Sequence, residues 1–230
     1  TFSNSGTKNI VAPLSITGNF TIISPARVNA ENYAIKVGGN WTNDGTYIRG
    51  GNGVDTLSGT GANILGSSQT IFDMLVISDS VFTRNSLRIT TGLNVTGRAF
   101  RQASGTITFI GTNTTFSGKA TLFNVQLQPS SILTLNTNAD FRIEGTLTRN
   151  QNAIFDASTN APTTVEFVGA TNQIIPSGIY HNLVLRKGGT KTLDGNITVQ
   201  NNINIDNFTT FNEGGDTLVI KGNITNRGSY

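Results

Sequence analysis

Apolar residues alternate with polar ones along most of this chain, and short breaks rich in Gly and Asn interrupt the alternation. A period of two residues is typical of a β-strand with one buried side. Helix-forming residues in amphipathic runs are scarce, so we predict almost no α-helix. One motif recurs: an apolar residue, any residue, Ile or Val, three mostly polar positions, and another apolar residue. Its six copies begin at Leu14, Ile35, Leu87, Phe141, Ile197 and Leu218.

The spacing of these copies predicts coils. The first two copies are 21 residues apart, as are the last two, which is about one coil of a β-solenoid. The intervening steps of 52, 54 and 56 residues are interpreted as two or three coils each. A second family of strands fills them, and its matched segments are Thr106–Gly111 with Thr164–Gly169 and Phe72–Ile77 with Tyr180–Leu185.

A longer repeat joins the two ends of the chain. Residues 6–47 align without gaps on residues 189–230, at an offset of 183 residues, and Lys8 falls on Lys191. Isolated solenoids need atypical terminal coils, whereas here the ends are the best-matched parts. We therefore expect a slice of a longer array, whose excised ends associate with one another.

The pattern predicts an all-β fold, a right-handed parallel β-helix (β-solenoid), as a single segment over residues 1–230. In Leu-x-Ile the apolar side chains point inward and the middle residue points to water. Gly and Asn then supply the turn to the next strand. About eleven coils stacked at about 4.8 Å would form a rod about 50 Å long. The right-handed sense follows from the usual hand of parallel crossovers.

Composition narrows the function. Charged residues are only 13% of the chain, against about 25% in an average domain. The net charge of +3 is no nucleic-acid signature, and we expect the nearest basic cluster, Arg84, Arg88, Arg98 and Arg101, to be scattered over the surface. Cysteine is absent, so stability must come from stacking. No apolar run is long enough for a membrane span, and no membrane insertion is expected.

The segments Tyr33–Tyr47 and Leu218–Tyr230 resemble the "GN-x-TN-x-GT" coil of large Bacteroidetes surface proteins. The segment Thr164–Leu185 resembles the strand that follows that coil. The resemblance implies parallel β-helices within long exported adhesins, including gliding-motility adhesins sent out by the type IX route. After Leu93 and Leu147 the pattern is missing, so the coils need not be uniform.

An enzyme is the main alternative, because parallel β-helices also host carbohydrate-active sites built from clustered carboxylates. The acidic residues here are strung out, although Asp140 with Glu144, or Glu213 with Asp216, could converge from neighbouring turns. The remaining carboxylates are interpreted as solvated turn residues. His181 is the single histidine and is expected to point outward. We predict no catalytic residue, no cofactor and no metal site.

Aromatic and threonine patterns offer a second alternative, a binding module. Seven aromatics are expected in an inward core stack, although a carbohydrate-stacking platform is the other interpretation: Phe20, Trp41, Phe109, Phe123, Phe141, Phe167 and Tyr180. The runs Thr106-Ile-Thr108 and Thr146-Leu-Thr148 are similar to those of ice-binding solenoids, but they do not recur at a fixed coil period.

Three tripeptides resemble the Bacteroidetes O-glycosylation sequence, Asp followed by Ser or Thr and then an aliphatic residue. They predict modification at Thr56, Ser80 and Thr217. Together these patterns predict a structural or adhesive rod segment of an exported cell-surface protein, located outside the cell. Its expected partners are neighbouring repeats of the same polypeptide and a surface polysaccharide or an abiotic surface.

Overall fold

The computed structural model describes residues Thr1–Tyr230 and contains strands and turns but no helix, which confirms the predicted all-β class. The strands in chain order are β1 (Thr7–Asn9), β2 (Leu14–Ile16), β3 (Phe20–Ile22), β4 (Arg27–Glu31), β5 (Ile35–Val37), β6 (Trp41–Asn43), β7 (Thr46–Arg49), β8 (Val54–Leu57), β9 (Ala62–Leu65), β10 (Thr70–Ile77), β11 (Ser80–Thr83), β12 (Leu87–Gln102), β13 (Thr106–Phe109), β14 (Thr114–Leu122), β15 (Asn124–Leu127), β16 (Ile132–Leu135), β17 (Asp140–Ile143), β18 (Leu147–Arg149), β19 (Ile154–Asp156), β20 (Thr164–Phe167), β21 (Gln173–Tyr180), β22 (Asn182–Leu185), β23 (Gly189–Val199), β24 (Ile203–Ile205), β25 (Thr209–Asn212), β26 (Leu218–Ile220) and β27 (Ile224–Asn226).

The strands stack into three faces, and every strand pairing is parallel. Face 1 runs from β2 through β5 and β8 to β26, face 2 from β3 through β6 and β9 to β27, and face 3 from β1 through β4 and β7 to β25. The chain visits face 1, face 2 and face 3 in turn, about eleven times. The long strands β10, β12, β14, β21 and β23 bend around corners and serve two or three faces. This is the predicted parallel β-solenoid.

The recurring motif marks corners of the coil. Its copies at Leu14 and Ile35 join face 1 to face 2, whereas the copy at Leu87 joins face 3 to face 1 and the copy at Phe141 joins face 2 to face 3. The longer steps between copies are therefore not whole numbers of coils. All three corners need two inward apolar residues, a tight polar turn and a further inward residue, so one local pattern suits each of them.

A single core of 48 buried residues runs through the coils. Residues in the same register on face 2 form one inward column, in which Phe20 stacks on Trp41 and Ile143 on Phe167. The ring centroids of Phe20 and Trp41 are 4.2 Å apart and nearly parallel. Each coil thus buries its apolar residues against the coils above and below it, which accounts for stability without disulfides.

Six of the seven aromatics expected in the core are buried, as predicted. The exception is Phe123, which is half-exposed because it lies in the corner after β14 instead of on an inward strand position. The interpretation of the carboxylates as solvated turn residues is wrong for three of them. Asp55, Asp73 and Glu166 are buried.

Face 3 is interrupted twice. No backbone pairing joins β7 to β10, and none joins β18 to β21, so the face consists of three separately hydrogen-bonded runs. Polar side chains collect at both interruptions. These two breaks are the places where the regular stacking of the solenoid gives way to other contacts.

Candidate functional site

At the first break a buried polar cluster replaces the missing strand pairing. Arg49 and Asp55 form an ion pair, and the Tyr47 hydroxyl donates to the Asp55 carboxylate at 2.8 Å. Asp55 occupies an inward position of face 1, stacked between Ile35 and Leu75. Burial raises the pKa of Asp55 to about 6, although the hydrogen bonds from Arg49 and Tyr47 oppose that effect.

The loop that follows is held by a second buried carboxylate. Asp73 accepts hydrogen bonds from the backbone N–H groups of Gly51 and Gly53, at 3.3 and 3.2 Å. Arg49 also donates to the carbonyl oxygens of Glu31 and Tyr33. The charged side chains of this cluster form hydrogen bonds with one another and with the backbone. These bonds anchor the loop between β7 and β8.

At the second break an open cleft of about 370 Å³ separates β18 from β21. Arg149 lines it and donates to Ser177 Oγ at 2.7 Å, while its Nε atom has no hydrogen-bond partner. Gln173 crosses the break and donates to the carbonyl oxygens of Ile143 and Gly145. One amide side chain thus substitutes for part of the missing backbone ladder.

Lys191 lies in the next coil and is fully buried without a carboxylate partner. Its ammonium donates to the carbonyl oxygens of Gly169 at 2.6 Å and Thr171 at 3.1 Å. Burial lowers the pKa of Lys191 to about 8. Lys8, which aligns with Lys191 at the 183-residue offset, also donates to backbone carbonyls of the preceding corner.

Asp140, one of the carboxylates considered for catalysis, belongs to an ion-pair ladder on face 2. Asp140 pairs with Arg142 at 2.7 Å and with Lys119 at 3.6 Å, and Arg142 also reaches Glu166 at 3.2 Å. Arg142 therefore has a raised pKa, chiefly because of its hydrogen bonds to Asp140. The structure places Asp140 between two cations, an arrangement that links neighbouring coils.

Glu144, the suggested partner of Asp140, is also shared between two cations. Arg101 lies 3.1 Å and Lys187 3.5 Å from its carboxylate. In the other suggested pair, Glu213 accepts a hydrogen bond from the Tyr230 hydroxyl, and Asp216 accepts one from Gly195 N–H at 2.7 Å. Each of the four carboxylates therefore has a partner of its own.

The remaining candidates fall at separate places. His181 is half-buried at the corner between β21 and β22, with its Nδ1 atom 2.9 Å from Asn182 Nδ2. Thr108 and Thr148 lie in the same column, but Gln126 stands between them, so no continuous threonine ladder forms. Of the basic cluster, Arg88 lies on face 3 and the others on face 2 or at its corners: Arg84, Arg98 and Arg101.

The predicted glycosylation positions differ in accessibility. Thr217 is exposed, and Ser80 and Thr56 are half-buried. The residue before Thr56 is Asp55, whose carboxylate is fully buried in the cluster at the first break. Asp79, before Ser80, accepts a hydrogen bond from the Thr60 hydroxyl, which holds the pKa of Asp79 below its ordinary value. Thr217 is thus the most accessible of the three hydroxyls.

An exposed aromatic that the sequence pattern did not predict lies at a corner between face 2 and face 3. Phe208 is 93% exposed and adopts φ +66°, a conformation that bulky residues rarely occupy. Beside it is a shallow depression of about 340 Å³ lined by Arg186, Lys187, Asp206, Asn207 and Arg227. Period-two patterning gave no signal for this residue, because it lies in a turn.

No helix of the chain is long and apolar enough to cross a membrane. No cluster of three or more His, Cys, Asp or Glu side chains is placed to hold a metal ion. No family model matches the chain, and no curated protein or solved structure is significantly similar to it. The coils and their shared core define the class of the protein, a parallel β-solenoid.

Proposed function

We propose that this chain is a structural, adhesive rod segment of an exported bacterial cell-surface protein, extending or presenting an adhesive surface outside the cell. The observation that carries the proposal is the single core of 48 residues, which continues from Phe20 to Phe211 through the stacked coils. Such a quasi-one-dimensional core suits a spacer, because each coil depends only on its neighbours.

The distribution of polar groups supports the same function. The buried carboxylates Asp55 and Asp73 are engaged in holding β7 and the loop after it, and Glu166 belongs to the face 2 ladder. The resemblance of the Tyr33–Tyr47 coil to those of long Bacteroidetes adhesins, including gliding-motility adhesins, favours export to the cell surface, with type IX secretion as the proposed route.

The alternative function is a carbohydrate-active or carbohydrate-binding β-helix. The cleft between β18 and β21, with Arg149 and Asp194 in its lining, is the observation that favours it. The cleft is lined by backbone edges of two strands, which also makes it a structural discontinuity.

Beads coated with the purified chain distinguish these functions. Under flow they should be retained on glass or on immobilised polysaccharide, and incubation with the same polysaccharides should release no fragments. Fragment release would establish an enzyme and overturn the proposal. A chain that retains beads on no surface would show a spacer without adhesive function. Beads coated with heat-denatured chain are the control for non-specific retention.

A further inference from the structure

The corner around Phe208 exposes an aromatic side chain that the packing of the solenoid does not require. Such a side chain is a feature of ligand sites. A fully exposed phenyl ring contributes no buried area, and a positive φ costs a bulky residue conformational energy that Gly would not incur. Gly189 of the preceding coil pairs with Thr209, so the Phe208 backbone lies next to Gly188, which itself has φ +88°. The same left-handed turn occurs at Asn138 and Asn152, so the fold accounts for the positive φ but not for an exposed phenyl ring at that position.

Three cations line the depression that includes Asn207, the residue directly before Phe208. Arg227 is exposed and forms no ion pair, and Lys187 has a side chain that is 54% exposed. Arg186 is paired with Glu166, but its Nε atom has no hydrogen-bond partner. Asp206 is the single carboxylate in the depression and accepts a hydrogen bond from Asn204 at 3.1 Å. Because Arg186 and Lys187 are paired with Glu166 and Glu144, Arg227 is the unpaired cation of the depression. Over the depression and the adjoining face 2 ladder together, cations still outnumber carboxylates by six to four: Lys119, Arg101, Arg142, Arg186, Lys187 and Arg227 against Asp140, Glu144, Glu166 and Asp206.

The ladder on face 2 extends this positive surface along the rod. Its carboxylates are partly covered, with side-chain exposures of 5% for Glu166, 16% for Glu144 and 24% for Asp140. Its outer cations are open to solvent, at 51% for Arg101 and for Lys119. The outer cations are therefore more accessible to solvent than the carboxylates. An extended anionic polymer could contact them over several coils in succession.

We propose that the Phe208 corner, with Arg186, Lys187 and Arg227, binds an acidic sugar residue of an anionic polysaccharide. The phenyl ring packs on the apolar face of the sugar ring, and the guanidinium and ammonium groups bind its carboxylate or sulfate. The proposal deepens the adhesive function proposed above and rests on it, since it names the polymer class that the rod would grip.

Alginate, a polymer of uronic acids, is the probe, and neutral dextran and duplex DNA are the comparison polymers. We expect immobilised full-length chain to bind alginate, more weakly as salt rises, and dextran not at all. Phe208→Gly and Arg227→Ala should each weaken alginate binding about ten-fold. Lys36→Ala, which removes an exposed cation from face 1, should change it less than about two-fold.

The Phe208→Gly variant separates binding from folding. Gly relieves the positive φ, so the thermal midpoint should stay the same or rise while binding falls. Unchanged alginate affinity in both site variants, equal binding of dextran, or tighter binding of DNA would overturn the site. If alginate binding fails while bead retention on other surfaces persists, the site is wrong and the adhesive rod stands; if all retention fails, the adhesive function is wrong as well.

Discussion

At the scale of single residues, the alternation of inward and outward positions decides how much a substitution costs. Ile143 is fully buried on β17 and Lys36 is exposed on β5. Ile143→Asp places an unpaired charge in the stacked core and should lower the free energy of unfolding by more than about 4 kcal/mol. Lys36→Asp should change it by less than about 0.5 kcal/mol. Urea denaturation followed by circular dichroism measures both.

A milder variant at the same position controls for lost packing. Ile143→Val removes one methylene and should cost about 1 kcal/mol. Ile143→Asn has the shape of Asp without its charge, so the loss that Ile143→Asp shows beyond Ile143→Asn is due to the buried charge. Equal losses for the Asp variants of Ile143 and Lys36 would mean that the assigned inward and outward faces are wrong.

Lys191 makes stability depend on pH. Its pKa is about 8 in the folded chain and 10.5 ordinarily, so between these values the unfolded chain binds more protons than the folded one. Stability should therefore rise with pH through this window, and the thermal midpoint should increase from pH 7.5 to pH 9.5. Lys191→Met should abolish the rise. An identical pH profile in that variant would assign the effect to another group.

Accessibility ranks the predicted glycosylation positions. Thr217 is exposed, whereas Thr56 lies half-buried between the buried residues Asp55 and Leu57. If modification follows folding, intact-mass and peptide analysis of natively secreted protein should find a hexose-containing adduct at Thr217 first and at Thr56 least. Secreted protein without an adduct at Thr56, Ser80 or Thr217 would remove the hypothesis.

Residue-level predictions from sequence succeeded wherever the period of two was regular. They failed at Asp55 and gave no signal for the buried Lys191, because partners on the preceding strand or coil stabilise a charged residue at an inward position, and periodicity does not reveal such partners. Phe208 was missed for another reason: an aromatic in a turn resembles any other break in the alternation. The candidate binding site is therefore the part that sequence patterning could least predict.

At the scale of elements, strand-corner-strand units were predictable and strand pairing was not. The motif at Leu87 looks like the motif at Leu14, yet the two occupy different corners. A local pattern fixes how a corner turns, whereas the face on which it lies depends on how many residues precede it. The two breaks in face 3 were unpredictable because they follow from coils whose lengths differ.

The break between β18 and β21 should be visible in amide exchange. Hydrogen bonds alternate in direction along a parallel strand, so Thr148 N–H bonds to β15 while the N–H groups of Leu147 and Arg149 point across the break. Leu147 and Arg149 should exchange at least about ten times faster than Thr148 in hydrogen exchange followed by NMR. Comparable protection of the three amides would show that β18 and β21 are paired in solution.

At the scale of the whole molecule, the 183-residue offset corresponds to nine coils and returns each aligned residue to the same face. Thr7 and Thr190 both lie on face 3, and Leu14 and Ile197 both lie on face 1. The coil number was predictable from the 21-residue spacing of the first two and last two motif copies, because the average coil over the 183-residue repeat, about 20 residues, is close to that spacing.

Distances between labels on one face test the stacked rod most directly. The chain has no cysteine, so pairs of introduced cysteines can carry spin labels without interference. Lys36 and Ser117 are in the same outward column of face 1, four coils apart through Thr56, Val76 and Asn94. Lys221, which follows β26, is exposed at the other end of the same face.

Double electron–electron resonance on the pair Lys36→Cys and Ser117→Cys should give about 19 Å, and on the pair Lys36→Cys and Lys221→Cys about 43 Å, because each coil adds about 4.8 Å. The label linkers broaden these distances but leave their ratio. Distances that grow in this proportion to coil number would support a continuous rod of stacked coils. Two similar distances, or a distance between positions 36 and 221 that is well below about 43 Å, would contradict it.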